Sequence, residues 1–375
     1  MDRRWLRNLD FVLLSAVVLL LLFGLLVVYS ATRGLAETRG DPFYYVKRQS
    51  MAALLGFAAM AAVLTFDYRH LAKLSRLFYV GSLALLGAVL VVGRAGGGAE
   101  RWLSLGPLNL QPSEVAKISL ILVLAWALSE RDHVQGWRGI FVALAWLAPM
   151  WALILLQPDL GTAMTMAGMT LGILFFAGAP VKHLALLTTA GLGAAVGAVV
   201  GSIQGWLPIL KPYQVNRLIV FFDPYRYRHD EGWNVIQSMI AIGSGSLFGK
   251  GLFGGSQTQL NFLPARHTDF IFSVIGEEFG FVGGVFVLFL FGVIFWRGGR
   301  ILLQAKDSMG SLIVAGVLSM VFCHVLINIG MTLGLMPVTG LPLPLISYGG
   351  TSVLTTLTSI GLVLNVGLRR KKISF

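Results

Sequence analysis

Apolar residues run through this chain in long blocks, without the every-other-residue alternation of membrane β-strands. Ten blocks, at roughly 9–31, 47–66, 76–93, 113–129, 139–156, 160–178, 183–203, 270–296, 309–335 and 349–368, are each long enough for a helix to cross a bilayer. The pattern predicts an all-α integral membrane protein: a bundle of about ten transmembrane helices, forming a single polytopic membrane domain over residues 1–375. The first run, Phe11–Tyr29, is too long for a signal-peptide core and reads as a retained anchor. One connection is long, 204–269 between spans seven and eight. It is rich in aromatic residues, among them Trp206, Tyr213, Phe221, Phe222 and Trp233, so it is expected to be ordered. Within it, the apolar spacing over Trp233–Ile242 predicts a short helix lying in the membrane interface. Six glycines between Gly243 and Gly255 then predict tight turns.

Composition agrees and fixes the orientation. The chain is 56% hydrophobic and 12% charged, about half the charged share of an ordinary soluble domain. A formal charge of +12 would suggest nucleic acid in a soluble protein, but here the basic residues lie between apolar runs. Sixteen Lys and Arg fall on the side of the termini and six in the short loops opposite. Positive-inside therefore predicts cytoplasmic termini and an extracytoplasmic 204–269 loop. The single Cys323 excludes an intramolecular disulfide.

The polar residues worth explaining crowd the outer mouths of the spans. Arg266, His267, Thr268 and Asp269 stand just before the apolar eighth span, with Glu277 and Glu278 two turns inside it. Ionisable groups at such positions are costly and usually functional. The two glutamates point about 100° apart, so at most one is expected to face the same space as Asp269. In the second outer loop, Pro112 suits a first helical turn, and Glu114 and Lys117 share one face and can pair. That pair either anchors the helix start or lines a polar cavity with Asp269. Asp159, in Gln157-Pro-Asp-Leu-Gly-Thr162, either caps span six or adds a carboxylate to that cavity. His324 and Asn328, four apart in span nine, suit an interhelical hydrogen bond. Gly243–Lys250 imitates a phosphate loop, but its spacing is one residue too long and Gly251 stands where Ser or Thr belongs. The uncharged loop Met336–Ser352 has three prolines, which forbid a helix there, and could receive a lipid tail.

Together these segments resemble the SEDS family, named for shape, elongation, division and sporulation. The resemblance is carried by Arg101-Trp102 with Gln111-Pro-Ser-Glu114 and Lys117; by Gln157–Thr162; by Gln237–Gly249; by His267-Thr-Asp-Phe-Ile-Phe272 with Glu277-Glu278; and by Gly340–Pro344 with Ser347-Tyr-Gly-Gly350. Met336–Gly340 and the short termini resemble the elongation branch (RodA) more than the division branch (FtsW).

The resemblance implies a bacterial peptidoglycan glycosyltransferase of the cytoplasmic membrane. It would polymerise lipid II, a disaccharide-pentapeptide on undecaprenyl pyrophosphate, beside a class B penicillin-binding protein. The family's essential acid falls on Asp269, the expected general base for the acceptor hydroxyl. Arg101, Lys117 and Arg266 are candidates to neutralise the leaving pyrophosphate, alone or with a divalent cation such as magnesium or manganese. Glu114, Asp159 and His267 complete the expected substrate site. A flippase for lipid-linked precursors is the alternative, and a non-catalytic scaffold a third; placement of the acids at the outer ends argues against transport, which favours midplane sites.

Overall fold

The apolar runs become helices because a backbone in hydrocarbon must satisfy its own polar groups. In a computed structural model, the described residues are 8–35, 40–92, 94–96, 99–105, 108–129, 136–204, 206, 212–228 and 232–370. The order is α1 (Phe11–Thr32), α2 (Tyr44–Thr65), a short α3 (Tyr68–Lys73) and α4 (Ser75–Val92). Strands β1 (Arg94–Gly96), β2 (Ala99–Leu105) and β3 (Leu108–Leu110) come next, then α5 (Pro112–Ala127), α6 (Trp137–Leu156), α7 (Leu160–Ala177) and α8 (Val181–Ile203). The long connection holds α9 (Pro212–Phe222), α10 (Gly232–Ser244) and α11 (Ser256–Gln259); α12 (Ile271–Leu303), α13 (Ser308–Thr332) and α14 (Gly350–Leu368) close the bundle.

All ten expected spans are present as helices among the described residues. Eight of them are long and apolar enough to cross a membrane by themselves. The other two are α4, which is only just shorter, and α5, which has 16 residues and carries Glu114 and Lys117. The principal packing pairs are α2 with α14, α1 with α12, α7 with α13 and α4 with α5. Arg297, late in α12, binds Asp10 ahead of α1, and Arg370 beyond α14 binds Gln304. The start of α1 and the ends of α12 and α14 therefore share one end of the bundle, opposite Asp269.

Aspartates set several helix starts and are themselves held by arginines. Asp10 accepts from Leu13 N at 3.0 Å and from the Arg297 guanidinium at 2.7 Å. Asp307 accepts from Gly310 N at 2.8 Å and from Arg69 Nε at 2.8 Å. Each carboxylate satisfies an orphan N–H and meets the positive helix end.

Three features differ from the sequence reading. The second outer loop is a small antiparallel sheet, with Arg94 opposite Trp102 and Leu103 opposite Leu110. Strands β1 and β3, of three residues each, are too short for a period of two to register. The eighth span runs to Leu303 rather than 296. Finally, one face of α10 packs into the bundle, a contact the apolar spacing did not show. Val235, Ile236, Gln237, Ser238 and Ala241 are buried against α12 and α13. Ser238 explains why: its hydroxyl donates to Thr332 O and meets Ser273 Oγ, both at 2.6 Å, so its polar side finds partners inside the bundle.

The glycine-rich turn after α10 is built into α12. At Gly280 that helix breaks, with φ 65° and ψ −158°. The freed N–H groups of Phe281 and Val282 donate to Ser246 O and Leu247 O at 2.9 and 3.1 Å. The carbonyls of Glu277 and Glu278 accept from Lys250 N and Gly251 N, both at 3.0 Å. The phosphate-loop lookalike is thus a backbone clasp on a broken helix. Gly249 sits at φ 78°, and a Cβ there would overlap the Glu278 carbonyl. Gly249→Ala is expected to lose folded protein, through left-handed strain and the clash together. Gly243→Ala, where a Cβ meets open space, is expected to stay within about 0.5 kcal/mol of wild type. Yield of monodisperse protein and thermal unfolding in detergent read both; an unaffected Gly249→Ala would mean the clasp is loose.

Candidate active site

Asp269 ends a turn that the rest of the bundle holds by its backbone. Three consecutive carbonyls are each bound: His267 O accepts from Tyr348 N at 2.9 Å, Thr268 O from Ser347 Oγ at 2.6 Å, and Asp269 O from Asn328 Nδ2 at 2.9 Å. Asn328 also donates to Leu341 O at 2.7 Å. Gln49 reaches across from α2, donating to Ser347 O at 2.8 Å and accepting from Gly349 N at 3.1 Å. The proline-rich segment 337–349 is therefore a shelf, and the Asp269 turn lies on it. The carboxylate faces that shelf: a Cβ on Gly340 would stand 3.5 Å from Asp269 Oδ2.

Asp269 is half-buried. Burial pushes its carboxyl up to about 6; Arg217 and Arg101 pull against that rise, and Asp159 adds to it. A carboxyl so placed is ionised near neutral pH yet more basic than a surface aspartate, as a general base should be.

Arg101, on β2, crosses to the α6–α7 turn. It donates to Gln157 O at 3.2 Å and to Pro158 O, and stands 3.6 Å from Asp159. Asp159 in turn caps α7, accepting from Thr162 N at 3.1 Å and Thr162 Oγ1 at 2.9 Å. Asp159 thus caps the helix, the first of its two readings, and its charge adds to the rise at Asp269.

Other expected site residues turn inward. Arg266 is buried and donates through Nε to Ala31 O at 2.7 Å, fastening the turn to the end of α1; burial lowers its pKa. It does not figure among the charges acting on Asp269, which are Arg217, Arg101 and Asp159. His267 is packed at a tilt against Tyr45 and Tyr348, ring centroids 5.0 and 5.8 Å away.

Glu114 and Lys117 pair at 2.7 Å with side chains 4% and 1% exposed. Lys117 Nζ also contacts His324 Nε2 at 2.8 Å, and Glu114 accepts from Thr355 Oγ1 at 2.9 Å. The pair welds α5 to α13 and α14 rather than opening to the rim, because only enclosure by polar partners offsets burying two charges. Glu277 and Glu278 both turn away from Asp269. Glu277 accepts from Gln257 N, Thr258 N and Lys250 Nζ at 2.9–3.1 Å, and Glu278 from Ser30 Oγ at 2.6 Å.

Sequence reasoning missed Arg217. It lies on α9 in a run of apolar residues, Leu218, Ile219, Phe221 and Phe222. A lone cation in such a run was the available signal.

This arrangement has known counterparts. A family model described as the FtsW/RodA/SpoVE cell cycle proteins matches residues 11–372. The chain belongs to this family. It is the SEDS family that the motifs resemble. Stage V sporulation protein E of Bacillus subtilis is 39% identical over 95% of this chain and 96% of its own length. A probable peptidoglycan glycosyltransferase FtsW of Geobacter metallireducens is 36% identical over 96% of this chain and 95% of its own length. Among solved structures, a chain of a peptidoglycan synthase complex that coordinates polymerization and crosslinking superposes with a TM-score of 0.80 at 36% identity, covering 97% of this chain and 99% of that one. The rod shape determining protein RodA of Thermus thermophilus gives a TM-score of 0.69 at 34% identity, covering 97% and 98%. Names from all three branches occur among these FtsW/RodA/SpoVE relatives, so the likeness does not single out the RodA branch.

Lys117→Met strands the buried Glu114 charge and is expected to cost about 3–5 kcal/mol of stability. Combining it with Glu114→Gln should cost less than the sum of the single changes. Thermal unfolding of the four proteins in detergent reads the coupling; strict additivity would mean the pair does not act as a unit.

Proposed function

We propose that this chain is a peptidoglycan glycosyltransferase that polymerises lipid II in the bacterial cytoplasmic membrane, working on the outer face with both termini inside. The observation that carries the reading is a half-buried carboxylate at the mouth of the bundle, fixed through three backbone carbonyls and within reach of the charges of Arg101 and Arg217. The names of FtsW relatives support the reaction class. The charge bias of the loops supports the orientation.

The acceptor sugar hydroxyl gives its proton to Asp269 as its oxygen attacks the donor's anomeric carbon. The bond from that carbon to the pyrophosphate oxygen breaks on the opposite face, so the centre inverts. The pyrophosphate leaves as an anion, stabilised by positive charge more than by protonation. Arg101 and Arg217 are the cations beside Asp269 for that task; Lys117 and Arg266 are engaged inside the bundle. The turn's attachment to the shelf keeps the base in place, which is the larger part of orientation catalysis.

A divalent cation is part of this proposal only as one carried in with the substrate pyrophosphate. Among the described residues no group of three His, Cys, Asp or Glu could hold a metal. Asp159 is already bound to Thr162 and Arg101, so the donor set does not fit a protein-held ion, and no step is routed through one. A class B penicillin-binding protein is the proposed partner, supported by the relative solved within a peptidoglycan synthase complex. The segment Met336–Gly340 favours an elongation role.

Purified protein with its partner, labelled lipid II and a gel for glycan strands tests the reading. Asp269→Asn is expected to lose at least about 10²-fold in polymerisation while keeping its melting temperature. Near wild-type polymer from a folded Asn variant would remove Asp269 as the base. Transfer of lipid II across liposomes without polymer would make the chain a flippase instead. Because burial holds the carboxyl near 6, kcat/KM should fall as pH drops through about 6 and level off above it. A flat profile between pH 5 and 8 would contradict that assignment.

A further inference from the structure

His324 and Asn328 stand one turn apart on α13, both buried, and both reach the shelf. Asn328 donates to Leu341 O at 2.7 Å, and His324 Nδ1 meets the next carbonyl, Pro342 O, at 3.4 Å. Leu343 N then donates to Ser347 Oγ at 2.8 Å, so three consecutive shelf residues are held. The residue just ahead of them is Gly340, which faces the Asp269 carboxylate. The other imidazole nitrogen looks the opposite way. His324 Nε2 lies 2.8 Å from Lys117 Nζ, which pairs with Glu114 at 2.7 Å. None of the steps of the proposed reaction uses this connection between the buried ion pair and the shelf.

The neighbours on both sides dictate the same tautomer. An ammonium has three donors and no acceptor, so Nε2 must present its lone pair to Lys117. A neutral imidazole then carries its proton on Nδ1, and Nδ1 faces a carbonyl oxygen, which only accepts. The Nε2–H tautomer would set donor against donor at Lys117 and acceptor against acceptor at Pro342, both costly in a buried site. We propose that His324 is a positioning residue for Asp269: Lys117 locks it as the Nδ1–H tautomer, and the ring holds the shelf at Pro342, two residues from the glycine beside the carboxylate. The inference rests on the reading of Asp269 as the base. It extends the part of the Glu114–Lys117 pair from joining helices to fixing the floor under that base. A floor displaced by about an ångström misplaces the carboxylate, and misplacement on that scale costs up to about 10²-fold in rate.

The test uses the full chain with its partner and labelled lipid II, with kcat, KM and melting temperature measured on each variant. His324→Leu removes both contacts and is expected to lose about tenfold in kcat with KM unchanged, and to melt lower. His324→Asn places an amide N–H where Nδ1–H stood but leaves Lys117 without its acceptor. It should recover most of kcat and none of the melting temperature. His324→Gln places an amide oxygen where Nε2 stood and should do the reverse. A merely structural histidine would make kcat follow the melting temperature across the three variants, and that outcome overturns the proposal. Wild-type kcat in His324→Gln overturns it as well. NMR of nitrogen-labelled histidine in the wild type gives a second reading, with the His324 signal assigned by its loss in whichever variant folds. Nδ1 should be protonated and Nε2 bare; a protonated Nε2 overturns the tautomer lock. Asp269→Asn separates this inference from the one it rests on. If that variant still polymerises, the base is lost and this role with it. If it is inactive while His324→Gln keeps wild-type kcat, only the role of His324 falls.

Discussion

A helix broken at Gly280 needs four backbone hydrogen bonds from elsewhere, and the loop 245–251 supplies them. In a bilayer those groups have no water to turn to, so the exchange is obligatory. It pins the long connection between α8 and α12 to the bundle along both sides of the break. Glu277, at the same place, then takes the N–H groups of Gln257 and Thr258 and orders the next part of the loop. From there the chain runs into the turn that ends in Asp269. The position of the carboxylate is thus set first by a helix that does not continue, and then by the shelf beneath it.

The shelf shows how apolar sequence can do polar work. Residues 337–349 carry no charge, yet their backbone and Ser347 hold the Asp269 turn, and they are themselves gripped by Gln49 and Asn328. Prolines keep this segment from becoming helix, which leaves its carbonyls and N–H groups free to serve the turn. His324, one helical turn from Asn328, contacts Lys117, so the same helix that holds the Asp269 turn also joins the buried ion pair. Site and scaffold meet on α13.

The helices were legible because hydrocarbon imposes one solution on long apolar runs. The Asp269 turn was legible too, since charged residues at a membrane helix mouth stand out against their surroundings. What was not legible was direction. Arg101 and Arg266 look alike in sequence, but one reaches the α6–α7 turn while the other is held by Ala31 O. Glu114 and Lys117 share a face in either reading, and only the arrival of His324 and Thr355 from distant helices closes them off. Arg217 and the sheet carrying Arg101 belong to segments whose local patterns are short. Their roles are fixed by contacts from far away in the chain, which period and composition do not encode. The packing of α10 was hidden for the same reason: the partner of its Ser238 is Thr332.

The length of α12 has its own consequence. At 1.5 Å per residue, the unbroken stretch from Phe281 to Leu303 extends about 35 Å, enough for a hydrocarbon core of about 30 Å. The segment after Gly280 alone accounts for a full crossing. The first nine residues, with both glutamates, therefore precede the crossing segment, and the Asp269 turn lies beyond them. On the proposed reaction, a substrate tethered by its lipid would meet the Asp269 turn just past that crossing, without being lifted out of the membrane.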